Sequence, residues 1–161
     1  MLYWITGLAG AGKTTIGKAL YMRLKKENPS VVFLDGDELR AIVGDRFGYT
    51  LEERHACSMF YARLCKYLTA QGLDVICCVC AMFESVRRWN RENISNYLEV
   101  FINPDMKVLQ ARNQKNLYSS TDVDVYGTTL KAEIPLFPDI VLNNDGSISV
   151  EEQVEIILQN V

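Results

Sequence analysis

The stretch Gly7-Leu8-Ala9-Gly10-Ala11-Gly12-Lys13-Thr14 limits what this chain can fold into more than any other. It fits G-x-x-x-x-G-K-[ST] and stands between an apolar, strand-like run, Leu2 to Ile5, and a segment of helical pattern. Glycines let the backbone turn tightly enough for successive N–H groups to point inward at an anion, and the following helix adds the positive end of its dipole. A strand, a phosphate cradle and a helix therefore follow one another here. Lys13 is expected to reach the β- and γ-phosphates, and Thr14 to ligate Mg²⁺. Gly7 to Thr14, with Thr15, form the expected nucleotide-binding residues, and ATP and Mg²⁺ the expected cofactors.

At 161 residues, 48% of them hydrophobic and 23% charged, the chain suits one domain over 1–161 with a sizeable core. Seventeen basic against twenty acidic side chains leave a net charge of −3, so no broad electropositive surface points to nucleic acid or membrane. A small anionic substrate needs only a local basic cleft. Met1 to Ala11 has no basic n-region and carries the phosphate loop itself, so neither a cleaved signal nor a membrane span is expected, and the cytoplasm is the expected location. Five cysteines, Cys57, Cys65, Cys77, Cys78 and Cys80, argue against a disulfide framework. Cys77 and Cys80 form C-x-x-C on a strand-like run, where side chains three apart face opposite ways, so all five are read as small buried hydrophobes. His55, the only histidine, permits no His-based metal cluster or Ser/His/Asp triad and is expected at a solvated helix position.

Strands and helices alternate along the chain. Leu2 to Thr6 precedes a helix from about Lys13 to Glu27; Asn28-Pro29-Ser30 ends it before a second strand, Val31 to Leu34. Thr50-Leu51-Glu52-Glu53 is a capping box opening a helix that Gly72 stops. A third strand begins at Asp74, Phe83 to Ser95 reads as helix, Leu98 to Ile102 as strand, Pro104 to about Gln114 as helix and Asp139 to Leu142 as the fifth strand. Ser149 to Glu152 caps a last amphipathic helix. Such alternation predicts an α/β fold of P-loop NTPase type: a five-stranded parallel sheet with helices on both faces and ligands at the carboxyl ends of its strands. Asn113 to Gly127 is polar and aperiodic, and the region around 113–130 is predicted to be a mobile lid with Arg112 and Lys115 at its base.

Phosphoryl transfer requires a cradle, a divalent cation, cations for developing charge and a carboxylate near the attacking hydroxyl. The run Val31 to Leu34 delivers Asp35 to the sheet edge beside the loop, suited to contact with Mg²⁺ or to accepting the acceptor's proton; Asp37 could share either role. Lys13, Asp35 and Asp37 are the candidate catalytic residues, and Thr14 and Asp35 the candidate metal ligands. Arg40, Arg54, Arg87 and Arg91 lie on helical segments expected around the same cleft, where guanidinium forks fit phosphate or sulfate.

These residues make the chain resemble the adenylylsulfate kinases, which phosphorylate the 3′-hydroxyl of adenosine 5′-phosphosulfate. The likeness runs from Tyr3 to about Leu142: the phosphate loop, Leu-Asp-Gly-Asp-x-x-Arg at Leu34 to Arg40, Gly48-Tyr49-Thr50, Glu53-Arg54, Arg87 with Arg91, Glu99-Val100-Phe101, and Arg112 with Lys115-Asn116-Leu117-Tyr118. The resemblance implies that Tyr49 packs on the acceptor base, that Arg40 and Arg54 hold the acceptor, and that Arg112 and Lys115 belong to the nucleotide lid. It places Asp35, Asp37, Arg40, Tyr49, Arg54, Cys57, Cys80, Ala81, Arg87, Lys115 and Leu117 at the acceptor and implies a homodimer.

Departures from the family pattern gather in the acceptor half. The family's Asn in D-R-x-E-N is Cys57, its Ile-Ser-Pro is Cys80-Ala81-Met82, its Pro-Tyr-Glu is Lys131-Ala132-Glu133, and a second base-stacking aromatic is Val125. Ala81 has no hydroxyl to phosphorylate, so direct in-line transfer without a phosphoenzyme is expected. The family likeness puts adenylylsulfate first as acceptor. The related cytidine diphosphoramidate kinases, which serve capsular polysaccharide synthesis and make the same 3′-transfer to a smaller base, are the alternative. A GTP-dependent switch would use an N-K-x-D element, which Asn113-Gln114-Lys115-Asn116 does not supply, and would need no arginine-lined second site.

Overall fold

Strand β1 (Leu2–Thr6) lies in the middle of the sheet, and all five of its residues are buried, as a strand covered on both faces requires. The computed structural model describes residues 1–112 and 130–161, so the predicted lid and with it Lys115 and Leu117 lie outside the described residues. Among these, β2 (Val31–Asp35), β3 (Asp74–Val79), β4 (Tyr97–Ile102) and β5 (Ile140–Leu142) join β1 in the order β2-β3-β1-β4-β5. Every pair is parallel, with Leu2 opposite Val75 on one side and Tyr97 on the other. From β1 the chain crosses first to the edge at β2, returns to fill the gap with β3, then passes to β4 and β5 on the other side, and the crevice forms above the carboxyl end of β1.

The α-helices among the described residues are α1 (Lys13–Lys25), α2 (Gly36–Val43), α3 (Leu51–Ala70), α4 (Glu84–Asn93), α5 (Met106–Arg112) and, after the last strand, α6 (Val150–Leu158). Consecutive cysteines in β3 show that the helices cover both faces, because neighbouring strand residues point opposite ways. Cys78 lies under Gly17 of α1, where any side chain at 17 would collide with its sulfur. Cys77 meets Cys65 of α3 on the other face. Gly17 costs the helix about 1 kcal/mol relative to alanine, and the close approach of α1 to β3 explains its presence. Leu2, Trp4, Ile5, Ile16, Leu20, Ile76 and Ile157 are among the core residues with no exposed surface. Truncating a buried aliphatic residue such as Leu20 to alanine would cost about 2–5 kcal/mol.

Both predicted capping boxes form. Thr50 accepts from the Glu53 amide at 3.2 Å while the Glu53 carboxylate accepts from the Thr50 amide at 3.1 Å, and Ser149 and Glu152 repeat the exchange at 3.1 and 2.7 Å. The sequence reading did not delimit α2. Asp35, at the end of β2, is the N-cap of this eight-residue helix.

Candidate active site

The phosphate loop leaves β1 and enters α1 with Gly10 at φ 75° and Gly12 at φ 104°, left-handed conformations in which a side chain would be strained. Gly12 caps α1 with no side-chain hydrogen bond, so the helix's first amides are left for a ligand. Lys13 folds across the loop, and its Nζ donates to the Leu8 carbonyl at 2.8 Å. Thr14 Oγ1 donates to Asp35 Oδ2 at 2.7 Å, a bond that ties the start of α1 to the end of β2.

Asp35 is buried, and each of its oxygens has a partner: Oδ1 accepts from the Asp37 amide at 2.9 Å and thereby caps α2, while Oδ2 faces Thr14. Asp37, on the first turn of α2, is exposed. Cys78 lies just beneath, donating its thiol hydrogen to the Lys13 carbonyl at 3.3 Å. Burial and then the Asp35 carboxylate push that thiol's pKa far up, which keeps the proton in place.

On the expected acceptor side Tyr49 is 64% exposed, with two arginines over its ring. The Arg40 guanidinium lies 4.6 Å and that of Arg54 5.2 Å from the ring centre. Backbone carbonyls fix both: Arg40 Nη1 donates to Phe47 at 2.9 Å and Gly48 at 3.1 Å, and Arg54 Nε donates to Tyr49 at 2.8 Å. An aromatic face and two guanidinium forks are what a nucleotide base with an attached anion needs.

The other two arginines do not join them. Arg87 is 1% exposed, its Nη2 bonding Glu84 at 2.8 Å and its Nε lying 3.4 Å from Glu99. Arg91 reaches Glu99 and Asp139, both at 3.1 Å. Apolar periodicity puts both arginines on α4, but the carboxylates of β4 and of Asp139 turn them toward the sheet. Burial raises the Glu99 pKa, and Arg91 and then Arg87 work against that rise. Cys57 and Ala81, also expected at the acceptor, are buried at 1% exposure each, Cys57 beside Tyr61 of the same helix. Cys80 departs from the reading of all five cysteines as buried, for it is exposed just past the end of β3. All five thiols are free. His55 is not simply solvated: it pairs with Ser85 at 2.9 Å and meets the Phe83 ring edge-on.

Arg112, expected at the nucleotide, donates to the loop carbonyls of Gly10 at 3.2 Å and Ala11 at 3.3 Å and to that of Asn144 at 2.7 Å. Asn144 had no signal in the sequence beyond a turn-like Asn143-Asn144-Asp145-Gly146, yet its Nδ2 donates to Ala11 at 2.8 Å. No group of three or more His, Cys, Asp or Glu side chains able to hold a metal occurs among the described residues. No helix among them is long and apolar enough to cross a membrane.

The family model for adenylylsulphate kinase matches residues 1–143. A cytidine diphosphoramidate kinase of Campylobacter jejuni is 39% identical, the match covering 99% of this chain and 95% of the relative. An adenylyl-sulfate kinase of Paraburkholderia xenovorans is 34% identical over 98% of this chain and 90% of that one. In fold, the chain superposes with a TM-score of 0.88 on a Mycobacterium tuberculosis APS kinase solved with AMPPNP and APS, at 21% identity, covering 99% of this chain and 95% of the other. The phosphate loop with its lysine, threonine and aspartate thus stands within matched sequence from end to end, and the chain belongs to the adenylylsulphate kinase family as a nucleotide kinase, a phosphotransferase with an alcohol group as acceptor.

Proposed function

We propose that the protein transfers the γ-phosphate of ATP to the ribose 3′-hydroxyl of a nucleotide whose 5′ end carries a further anionic group, with cytidine diphosphoramidate as that acceptor. The observation that carries the reading is the Arg40–Tyr49–Arg54 cluster, a ring for the base flanked by two forks for the 5′-linked anion. Two facts favour the cytidine compound over adenylylsulfate. The acceptor half departs from the adenylylsulfate pattern at Cys57, at Cys80-Ala81-Met82 and at Lys131-Ala132-Glu133. The cytidine diphosphoramidate kinase relative is also 39% identical, against 34% for the adenylyl-sulfate kinase. Adenylylsulfate is the second reading, and the family match supports it.

Lys13 leaves the Leu8 carbonyl to meet charge developing on the transferred group. Thr14 Oγ1 and Asp35 Oδ2 are an oxygen-only pair 2.7 Å apart, the donor chemistry a hard divalent cation prefers, so these two residues would hold Mg²⁺. Bound there, Mg²⁺ would neutralise charge on the phosphates. Arg40 and Arg54 grip the acceptor's anion, Tyr49 stacks on its base, and Asp35 receives the 3′-hydroxyl proton as that oxygen bonds phosphorus and the bond to ADP breaks. Asp37, at the mouth of α2, is the second carboxylate available to the same proton. Transfer is direct, because Ala81 provides no hydroxyl for a phosphoenzyme. The same reading makes 1–161 one domain working as a homodimer in the cytoplasm, and light scattering tests the assembly.

Incubation with MgATP and each acceptor, followed by ³¹P NMR of the product, is the test. A new 3′-monophosphate resonance coupled to the ribose H3′ is expected from cytidine diphosphoramidate. Absence of transfer to both acceptors, or a phosphate at any other position, contradicts the proposal.

A further inference from the structure

Residues 143–149 join β5 to α6: the Asp145 carboxylate accepts from the Ser147 amide at 2.9 Å, and Ser149 caps the helix. Asn144 stands on that connection with both ends of its amide engaged. Its Oδ1 accepts from Gln153 Nε2 at 3.0 Å, and Gln153, on α6, is 1% exposed. Its Nδ2 donates to the Ala11 carbonyl at 2.8 Å, and its own carbonyl accepts from Arg112 at 2.7 Å. Fixing Oδ1 on a donor leaves only Nδ2 to face the loop, so Gln153 sets which way the Asn144 amide points.

The peptide after Ala11 is trans, so its C=O and the N–H of Gly12 point in opposite directions. A donor that holds the Ala11 carbonyl outward therefore aims the Gly12 amide inward, the direction in which a phosphate loop presents its amides. The Asn144 amide also fills the space where a side chain at Gly12 would stand. Left to itself, a loop this rich in glycine would sample many peptide orientations. We infer that Asn144, oriented by Gln153, is a positioning residue for the nucleotide site, pre-setting the Ala11–Gly12 peptide plane and the Arg112 side chain for the phosphates of the bound nucleotide. Both residues lie beyond residues 1–143 of the family match.

The inference rests on the nucleotide site proposed above, and wild-type binding of ADP tests that site separately. Titration calorimetry with ADP in MgCl₂ is compared for the wild type, Asn144→Ala and the isosteric Asn144→Asp, which keeps an acceptor for Gln153 but turns an acceptor toward Ala11. ADP affinity is expected to fall about tenfold in Asn144→Ala, the loss of roughly one hydrogen bond to a pre-set loop, and at least as far in Asn144→Asp. KM for ATP should follow, while KM for the acceptor stays within about twofold, a split that general loosening of the fold would not give. Wild-type-like ADP affinity in Asn144→Asp, an equal rise in both KM values, or unfolding of both variants overturns the inference, the last because it would make the residue a part of the fold. A wild type that binds no ADP would instead overturn the site itself.

Discussion

Contacts around the phosphate loop span the chain, whereas those around Tyr49 stay within a few residues. Arg112 bonds Gly10 across 102 positions and Asn144 bonds Ala11 across 133, but Arg40 reaches only seven positions to Phe47 and Arg54 only five to Tyr49. The proposed nucleotide side is thus assembled from segments that follow different strands of the sheet. The Arg40–Tyr49–Arg54 cluster proposed for the acceptor is a local unit of α2, the turn after it and the start of α3. Family agreement covers residues 7–14 and 34–40 and also the Gly48-Tyr49-Thr50 and Glu53-Arg54 pieces of that unit, while the departures at Cys57 and Cys80-Ala81-Met82 stand around it.

The largest expected effects lie in the nucleotide half. Lys13→Ala should lower kcat on the order of 10²- to 10³-fold with an unchanged melting temperature, because in the proposed mechanism the side chain meets developing charge, and its hydrogen bond is to the loop. A variant that melts normally and keeps more than half the turnover would refute the assignment. Asp35→Asn should cost about as much, since Asp35 holds Thr14, caps α2 and in the proposed mechanism receives the proton, and Asp37→Asn less. Steady-state kinetics showing the opposite order would exchange the two roles.

Next comes the contrast among arginines. Arg87→Met leaves the buried Glu99 carboxylate with fewer partners and should lower stability by about 3 kcal/mol in urea unfolding, with acceptor KM little changed. Arg54→Met should do the reverse, raising acceptor KM by about tenfold at nearly constant stability. If Arg87→Met instead raised acceptor KM without loss of stability, that arginine would belong to the acceptor site after all. Smallest is Tyr49→Ala, which removes one stacking face worth about 1 kcal/mol and should raise acceptor KM several-fold while leaving KM for ATP alone. Equal changes in the two KM values would erase the proposed division of the cleft.

Much of this was legible in the sequence, for physical reasons. The strand–loop–helix reading at Leu2 to Thr14 rests on spacing that few structures satisfy, and the capping boxes at Thr50 and Ser149 are local contacts, so sequence neighbours reveal them. The bounds of α2, the helix that carries Arg40, escaped because it is short and opens on Gly36, which disfavours helix. Spacing placed Arg40, Arg54, Arg87 and Arg91 on helices, but which face each takes depends on distant partners. Asp139, which holds Arg91, is 48 positions away. The same limit hid Asn144, whose contact with Ala11 exists only once the sheet has closed.

The claim that the acceptor half has been rebuilt for a smaller base is tested most directly by kcat/KM for cytidine diphosphoramidate and for adenylylsulfate at one fixed MgATP concentration, because discrimination is the ratio of those two values. The cytidine compound should be preferred by about tenfold or more, the worth of roughly 1.4 kcal/mol in transition-state binding. A preference of the same size for adenylylsulfate would contradict the account of the acceptor half while leaving the fold and the nucleotide site as described.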